Sequence, residues 1–214
     1  MKNTLAFAFL LTFFTAAAQT PADRQKAEAL LHRMTLEEKI GQMTQVTLGV
    51  VCTPQDGVLD PVALKKAIGD YKVGSILNVT NHALTVDQWR QVLTEIQDEA
   101  KKTRLQIPVI YGLDGIHGQT YTLDATLFPQ NIGMAATRNP ELVAAITKVA
   151  AKELRASGVR WNFAPVLDCG RQPLWSRFPE TYGEDVYIGK TMGVTAIKAY
   201  EEDGLKNPTA VASC

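Results

Sequence analysis

Asp114 has the setting in this chain that best suits chemistry. It closes a short apolar run, Val109-Ile110-Tyr111-Gly112-Leu113, and precedes Gly115-Ile116-His117-Gly118. An apolar run with β-branched residues reads as a buried strand. The glycines around Ile116 and His117 let the chain turn sharply. A carboxylate there lies at the strand's C-terminal rim, where open α/β sheets and barrels place their ligands. Two readings stay open on these residues: Asp114 caps its own turn, or it meets a ligand. A lone histidine is more often structural, so His117 adds little by itself.

A second polar cluster occupies 168–185. It combines Asp168, Glu180, Glu184 and Asp185 with Arg171 and Arg177, and with Trp175, Phe178 and Tyr182. Carboxylates and arginine bind vicinal hydroxyls in pairs, and aromatic faces stack on sugar-ring C–H groups. A surface ion-pair network has the same composition. No G-x-S-x-G elbow is present. His32, His82 and His117 show no H-E-x-x-H spacing, and no glycine-rich phosphate loop follows a strand. Cys52, Cys169 and Cys214 fit no metal-ligand pattern and read as buried, inert thiols.

The elements that position these clusters alternate. Pro21 to Leu31 reads as a helix. Thr35 and Glu38 form a capping box for the next one, whose Leu36, Ile40 and Met43 recur at helical spacing. Pro54, Asp56-Gly57 and Asp60-Pro61 mark a loop, and Val62–Tyr71 a short helix. Val73–Asn78 reads as a strand and Val86–Lys102 as a helix with Val86, Trp89, Leu93 and Ile96 on one stripe. After the Val109 strand, Asn139-Pro140 opens a helix through Ala156, and Gly158 closes it. Val159–Val166 is the next strand, Glu184–Asp203 the next helix, and Ala210–Ser213 the start of another strand. Such alternation implies parallel strands with crossover helices. Three strands and one begun strand are under half of an eight-stranded barrel, which takes about 250 residues. The expected fold is therefore α/β, the N-terminal half of a TIM-type (β/α)8 barrel, with a small open α/β domain as the alternative.

The 214 residues are 46% hydrophobic, and 22 basic residues balance 22 acidic ones. That excludes disorder and gives no electrostatic footprint for nucleic acid. Lys2, the apolar run Leu5–Phe14 and Ala16-Ala17-Ala18 make residues 1–18 an expected signal peptide. Residues 19–214 form the domain. No cysteine follows the cleavage point, so no lipid anchor to a membrane is indicated. The expectation is export, to the periplasm or the extracellular medium.

Five segments together resemble glycoside hydrolase family 3: Met34–Met43, Gly112–Gly118, Leu127–Thr137, Asn162–Asp168 and Trp175–Asp185. Tyr111–Gly118 with Leu127–Asn131 looks most like the β-glucosidase and exo-β-glucanase branch. The resemblance implies a retaining exo-glycosidase that releases terminal β-linked glucose from glucosides or oligosaccharides. It implies that Asp114 and Arg177 bind the terminal sugar, with His117 and Glu180 supporting their loops. Trp175-Ser176-Arg177 departs from the family's usual Trp-Gly-Arg. The family's Lys-His pair would follow Cys214, and its nucleophile and acid/base lie later still. The expected chain is thus a fragment with no catalytic residue of its own, inactive without the rest of the protein. No metal or organic cofactor is implied, because two carboxyls about 5 to 5.5 Å apart suffice for retaining hydrolysis. A non-catalytic carbohydrate binder, a TIM-barrel enzyme of unrelated chemistry, and a β-xylosidase or β-N-acetylglucosaminidase of the same family are the alternatives.

Overall fold

The structure, a computed structural model, describes residues 20–53, 58–79 and 82–214, without the side chain of Asp203. The signal segment and the loop residues Pro54, Asp56 and Gly57 lie outside the described residues. The chain divides into two units after Arg33. The described part of the first is helix α1, Pro21–Arg33, which buries none of its residues. No helix among the described residues is long and apolar enough to cross a membrane.

The second unit is an α/β structure around parallel strands, which among the described residues run in the order β1-β2-β3-β4-β5. The strands are β1 (Gln45–Thr47), β2 (Ser75–Leu77), β3 (Ile110–Leu113), β4 (Trp161–Asn162) and β5 (Ala212–Ser213). Sequential order with every neighbour parallel is the arrangement of barrel staves. The register pairs Ile76 with Tyr111 and Leu113 with Asn162. Side chains alternate across a strand, so Val46, Ile76, Tyr111, Leu113 and Asn162 share one side. There Ile76, Tyr111 and Leu113 are buried, together with Trp89 and Ile96 of α4 (Val86–Lys101). The Trp89 and Tyr111 rings meet edge to face at 5.7 Å. The other side carries Gln45, Ser75, Leu77, Ile110, Gly112 and Trp161, and the described helices leave it uncovered: Ile110 is 56% exposed.

Local chemistry sets the helices. Thr35 accepts from the Glu38 N–H, and Glu38 accepts from the Thr35 N–H, which starts α2 (Leu36–Gln42) as the spacing predicts. The Glu38 carboxylate also takes Arg104 Nε at 3.1 Å, and this guanidinium holds the carboxyl below its ordinary value. Asn139 caps α6 (Pro140–Ala156) with Pro140 in its first turn, and Gly158 follows it at φ +91°. Asp185 caps α7 (Val186–Tyr200). Pro61–Leu64 (α3) runs on into a π-helical stretch, Lys65–Asp70.

Several expectations need correcting. Strand β1 and helix α5 (Asn131–Ala136) were not anticipated. The ladder to β2, not an apolar run, makes β1. The strand expected over 159–166 pairs only at Trp161–Asn162. Pro165 has no N–H to offer a ladder. The helical spacing of Leu36 and Ile40 in α2 and of Met43 at its C-cap carried no reading of burial, and the three are exposed at 68%, 54% and 80%. What α2 buries instead is Glu38 and Gly41. Of the cysteines, Cys52 is buried, but Cys169 and Cys214 are exposed.

Helix α2 packs against the segment just before β2 through bare backbone. A Cβ on Gly74 would lie 2.2 Å from the Gln42 carbonyl oxygen, and one on Gly41 would lie 2.3 Å from that of Tyr71. Neither neighbour is a flexible side chain that can swing away. Gly74→Ala is therefore expected to cost about 2–3 kcal/mol. Gly189→Ala, in α7 with open space around it, is expected to gain about 0.5–1 kcal/mol. Urea unfolding of the two variants checks both signs.

Candidate active site at the carboxyl end of the sheet

Asp114 follows β3 directly and is half-buried. It continues the side of Gly112, which is the uncovered side. Its backbone N–H donates to Asn78 Oδ1 at 3.2 Å, and its Oδ2 accepts from Asn78 Nδ2 at 2.9 Å. Among the described residues nothing else bonds to the carboxylate. Asn78 stands just after β2 in the left-handed region, at φ +59°, which asparagine tolerates better than most residues.

The next residue is held from the opposite neighbour. Gly115 N–H donates to Asn162 Oδ1 at 2.8 Å, and Asn162 Nδ2 donates to the Gly115 carbonyl at 3.1 Å. Tyr200 of α7 donates to the same carbonyl at 3.4 Å. Asn162 is fully buried, so its amide must be paired at both ends. A Cβ at position 115 would lie 2.9 Å from Asn162 Oδ1, which accounts for the glycine. Burial keeps the Tyr200 phenol well above its ordinary value, protonated and able to donate.

His117 does not point at Asp114's carboxylate. Its Nδ1 lies 2.8 Å from the Phe128 carbonyl, and a carbonyl only accepts, so Nδ1 carries the proton. Phe128 N–H returns a bond to the His117 carbonyl at 2.9 Å. The histidine thus ties the two ends of the loop after β3.

Arg177 lies in the loop between β4 and α7. Its Nε and Nη2 both reach Glu180 Oε2, at 2.8 and 2.7 Å. Glu180's own carbonyl accepts from the buried Asn131 Nδ2 at 2.7 Å, which anchors the loop to α5. The Glu180 hydrogen bond raises the Arg177 guanidinium above its ordinary value, and the charges of Asp168 and Asp114 add to it. Tyr121 is raised first by burial, then by Asp114 and Glu180. No ion pair joins Asp114 to Arg177, yet Asp114, Asp168, Tyr121, Arg177 and Glu180 share one electrostatic neighbourhood at this end of the sheet. Each guanidinium has five N–H groups. Glu180 engages two of Arg177's, which leaves three for another acceptor.

Known proteins share this arrangement of chain and sheet. Residues 35–210 match the sequence model of the glycosyl hydrolase family 3 N terminal domain. The chain belongs to that family. A relative named lysosomal beta glucosidase, from Dictyostelium discoideum, is 38% identical over 181 residues, 80% of this chain and 22% of the relative. A periplasmic beta-glucosidase of Salmonella typhimurium is 34% identical over 173 residues, 80% of this chain and 20% of that protein. The crystal structure of an exo-1,3/1,4-beta-glucanase from a Pseudoalteromonas species superposes with a TM-score of 0.81 at 29% identity, covering 94% of this chain and 25% of that one. The chain thus spans about a fifth of these sequence relatives. As a family 3 chain it is part of a TIM-type barrel domain, and the sequential strands are staves of that barrel.

Of the residues singled out in the sequence, Asp114, Arg177 and Glu180 come into one neighbourhood, and His117 stands behind it. Asn78 and Asn162 were not singled out. Asn78 was legible as a polar residue ending a strand next to β3, but its bond to Asp114 spans 36 residues. Asn162 lay inside an expected strand, where nothing marks a side chain that bonds across a turn. Replacing Asn162 with alanine leaves both peptide groups of Gly115 without their amide partner. Asn162→Ala is expected to destabilise the protein by about 2–4 kcal/mol, read as a lower midpoint in guanidinium unfolding with an unchanged slope.

Proposed function

We propose that the protein carrying this chain is an exported β-glucosidase-type hydrolase, and that Asp114 and Arg177 bind the terminal sugar of its substrate. The observation that carries the reading is the Asp114 carboxylate. It stands at the carboxyl end of β3 on the uncovered side of the sheet. One of its oxygens is held by Asn78, and the other is unengaged among the described residues. A charged acceptor on a fixed frame suits vicinal hydroxyls, which each donate one hydrogen bond. The remaining N–H groups of Arg177 suit the hydroxyl oxygens of the same ring, with Glu180 fixing the guanidinium plane.

Hydrolysis itself needs an attacking carboxylate and a proton donor on either side of the bond. Asp114 is assigned neither role, because the family resemblance places both of those carboxyls later in the barrel than this chain reaches. It acts through positioning, by binding the sugar more firmly as the ring distorts toward the transition state. The remainder of the protein supplies the two reacting carboxyls, and a covalent glycosyl-enzyme gives retention of configuration. The beta-glucosidase relatives, of which this chain spans about a fifth, support that division of labour. Export rests on Lys2, the Leu5–Phe14 run and the alanines before Gln19, and the periplasmic relative supports it.

Two measurements test the reading. In the intact gene product, Asp114→Ala is expected to lower kcat/KM on nitrophenyl β-glucoside about 100-fold or more. A rate near that of the parent removes Asp114 from the sugar site. Residues 19–214 alone are expected to release no nitrophenol, and measurable turnover by that piece overturns the assignment of the chemistry to the rest of the chain.

A further inference from the structure

We propose that Asn78 is a positioning residue for the sugar site: it selects the Asp114 rotamer that holds one carboxylate oxygen and presents the other. The inference rests on the reading of Asp114 as a sugar-binding group. Asn78 is itself fixed from both sides of its peptide. Its N–H donates to the Gly112 carbonyl at 3.0 Å, and its carbonyl accepts from the Tyr111 hydroxyl. Tyr111 is buried against Trp89, so that hydroxyl has a fixed origin. The frame that carries Asn78 is therefore the hydrophobic core under β3.

From this frame the Asn78 amide contacts Asp114 at two points, backbone N–H and Oδ2. The orientation of the amide is set by chemistry. A flipped amide would set its oxygen against a carboxylate and its NH2 against an N–H. Two bonds to one residue fix both its backbone and its χ angles, which a single bond does not.

The partner is also neutral. A guanidinium in its place would fix the carboxylate equally well but would compensate its charge, as Arg177 does for Glu180. An amide donor fixes Oδ2 and adds no positive charge, so the carboxylate keeps its net negative charge, shared over both oxygens, with Oδ1 open to a hydroxyl. A hydrogen bond from a hydroxyl to a charged acceptor is roughly twice as strong as one between neutral groups. The choice of asparagine thus keeps Asp114 both rigid and strong as an acceptor. The residue also meets a backbone demand, because φ +59° is closed to most side chains.

The two demands separate experimentally. Asn78→Gly keeps the positive φ and removes the amide. Asn78→Asp tolerates the same φ, keeps an acceptor for the Asp114 N–H, and sets a carboxylate against Oδ2. In the intact gene product, Asn78→Gly is expected to lower the melting temperature by a few degrees, because the Asp114 N–H loses its acceptor, and, assayed well below that temperature, to lower kcat/KM on nitrophenyl β-glucoside about tenfold, with Asn78→Asp lowering it further. In a double-mutant cycle, Asn78→Gly added to Asp114→Ala is expected to cost nothing more, because the amide acts through the missing carboxylate. Parental rates for both Asn78 variants beside an impaired Asp114→Ala overturn the positioning role and leave the sugar site standing. Losses that multiply in the double variant overturn it as well. A parental rate for Asp114→Ala removes the sugar site and this inference together. Should the glycine variant fold poorly, the aspartate variant carries the same test.

Discussion

The carboxyl end of β3 has a problem of unpaired backbone, and the site grows out of its solution. Where the ladder stops, the peptide groups of Asp114 and Gly115 have no strand partner. Buried N–H and C=O groups without partners are costly. Asparagines from the two flanking strand ends supply the missing bonds: Asn78 to Asp114 and Asn162 to Gly115. An asparagine side chain offers a donor and an acceptor with the spacing of a peptide, so it extends the sheet where the backbone cannot. The Tyr200 hydroxyl links α7 to the same turn. Position 114 is therefore fixed from β2, from β4 through its neighbour, and from the helix that follows β4.

The same logic separates what was legible from what was not. Helix starts were readable because a cap is a contact between near neighbours. Thr35 with Glu38, and Asn139 with Pro140, carry their geometry in four or fewer residues. Strand β1 was not readable, because Gln45-Val46-Thr47 has no strand pattern of its own and becomes one by pairing with Ser75–Leu77. Periodicity placed Leu36, Ile40 and Met43 on one side of α2 but could not say which side packs. Close backbone contact at Gly41 and the Glu38–Arg104 bond decided that the apolar side faces out. Asp114 was visible as an acid between a strand and a glycine turn. The asparagines that hold it act across 36 and 47 residues, a distance at which no local pattern survives.

The sheet itself is covered by the described helices on one side only. Parallel sheets are ordinarily buried on both faces, and a barrel meets that demand by closing so that its second face becomes an interior. On the uncovered side Gln45, Ser75 and Ile110 share the lower level, Leu77, Gly112 and Trp161 the next, and Asp114 follows at the rim. On the reading proposed above, a hydroxyl-rich ligand at the carboxyl end meets that fixed acceptor directly above an apolar level.

Two of the carboxylates at this rim, Glu180 and Asp114, are held in opposite ways, and the difference bears on what each can do. Glu180 is matched by Arg177, so its charge is used within the protein and its effect is to orient the guanidinium. Asp114 is matched by a neutral amide, so its charge is left uncompensated by that partner. A sugar carries no charge and cannot neutralise a carboxylate. It can only replace the water bound to it, hydroxyl for hydroxyl. Such an exchange favours the ligand only if the acceptor gives up no freedom on binding, since ordering a loose side chain costs about as much as one hydrogen bond gains. On the proposal made above, Asn78 removes that cost before a sugar binds. A half-buried Asp114 with one oxygen fixed by Asn78 and the other unengaged among the described residues then takes up a sugar hydroxyl, on that reading, with the least reorganisation.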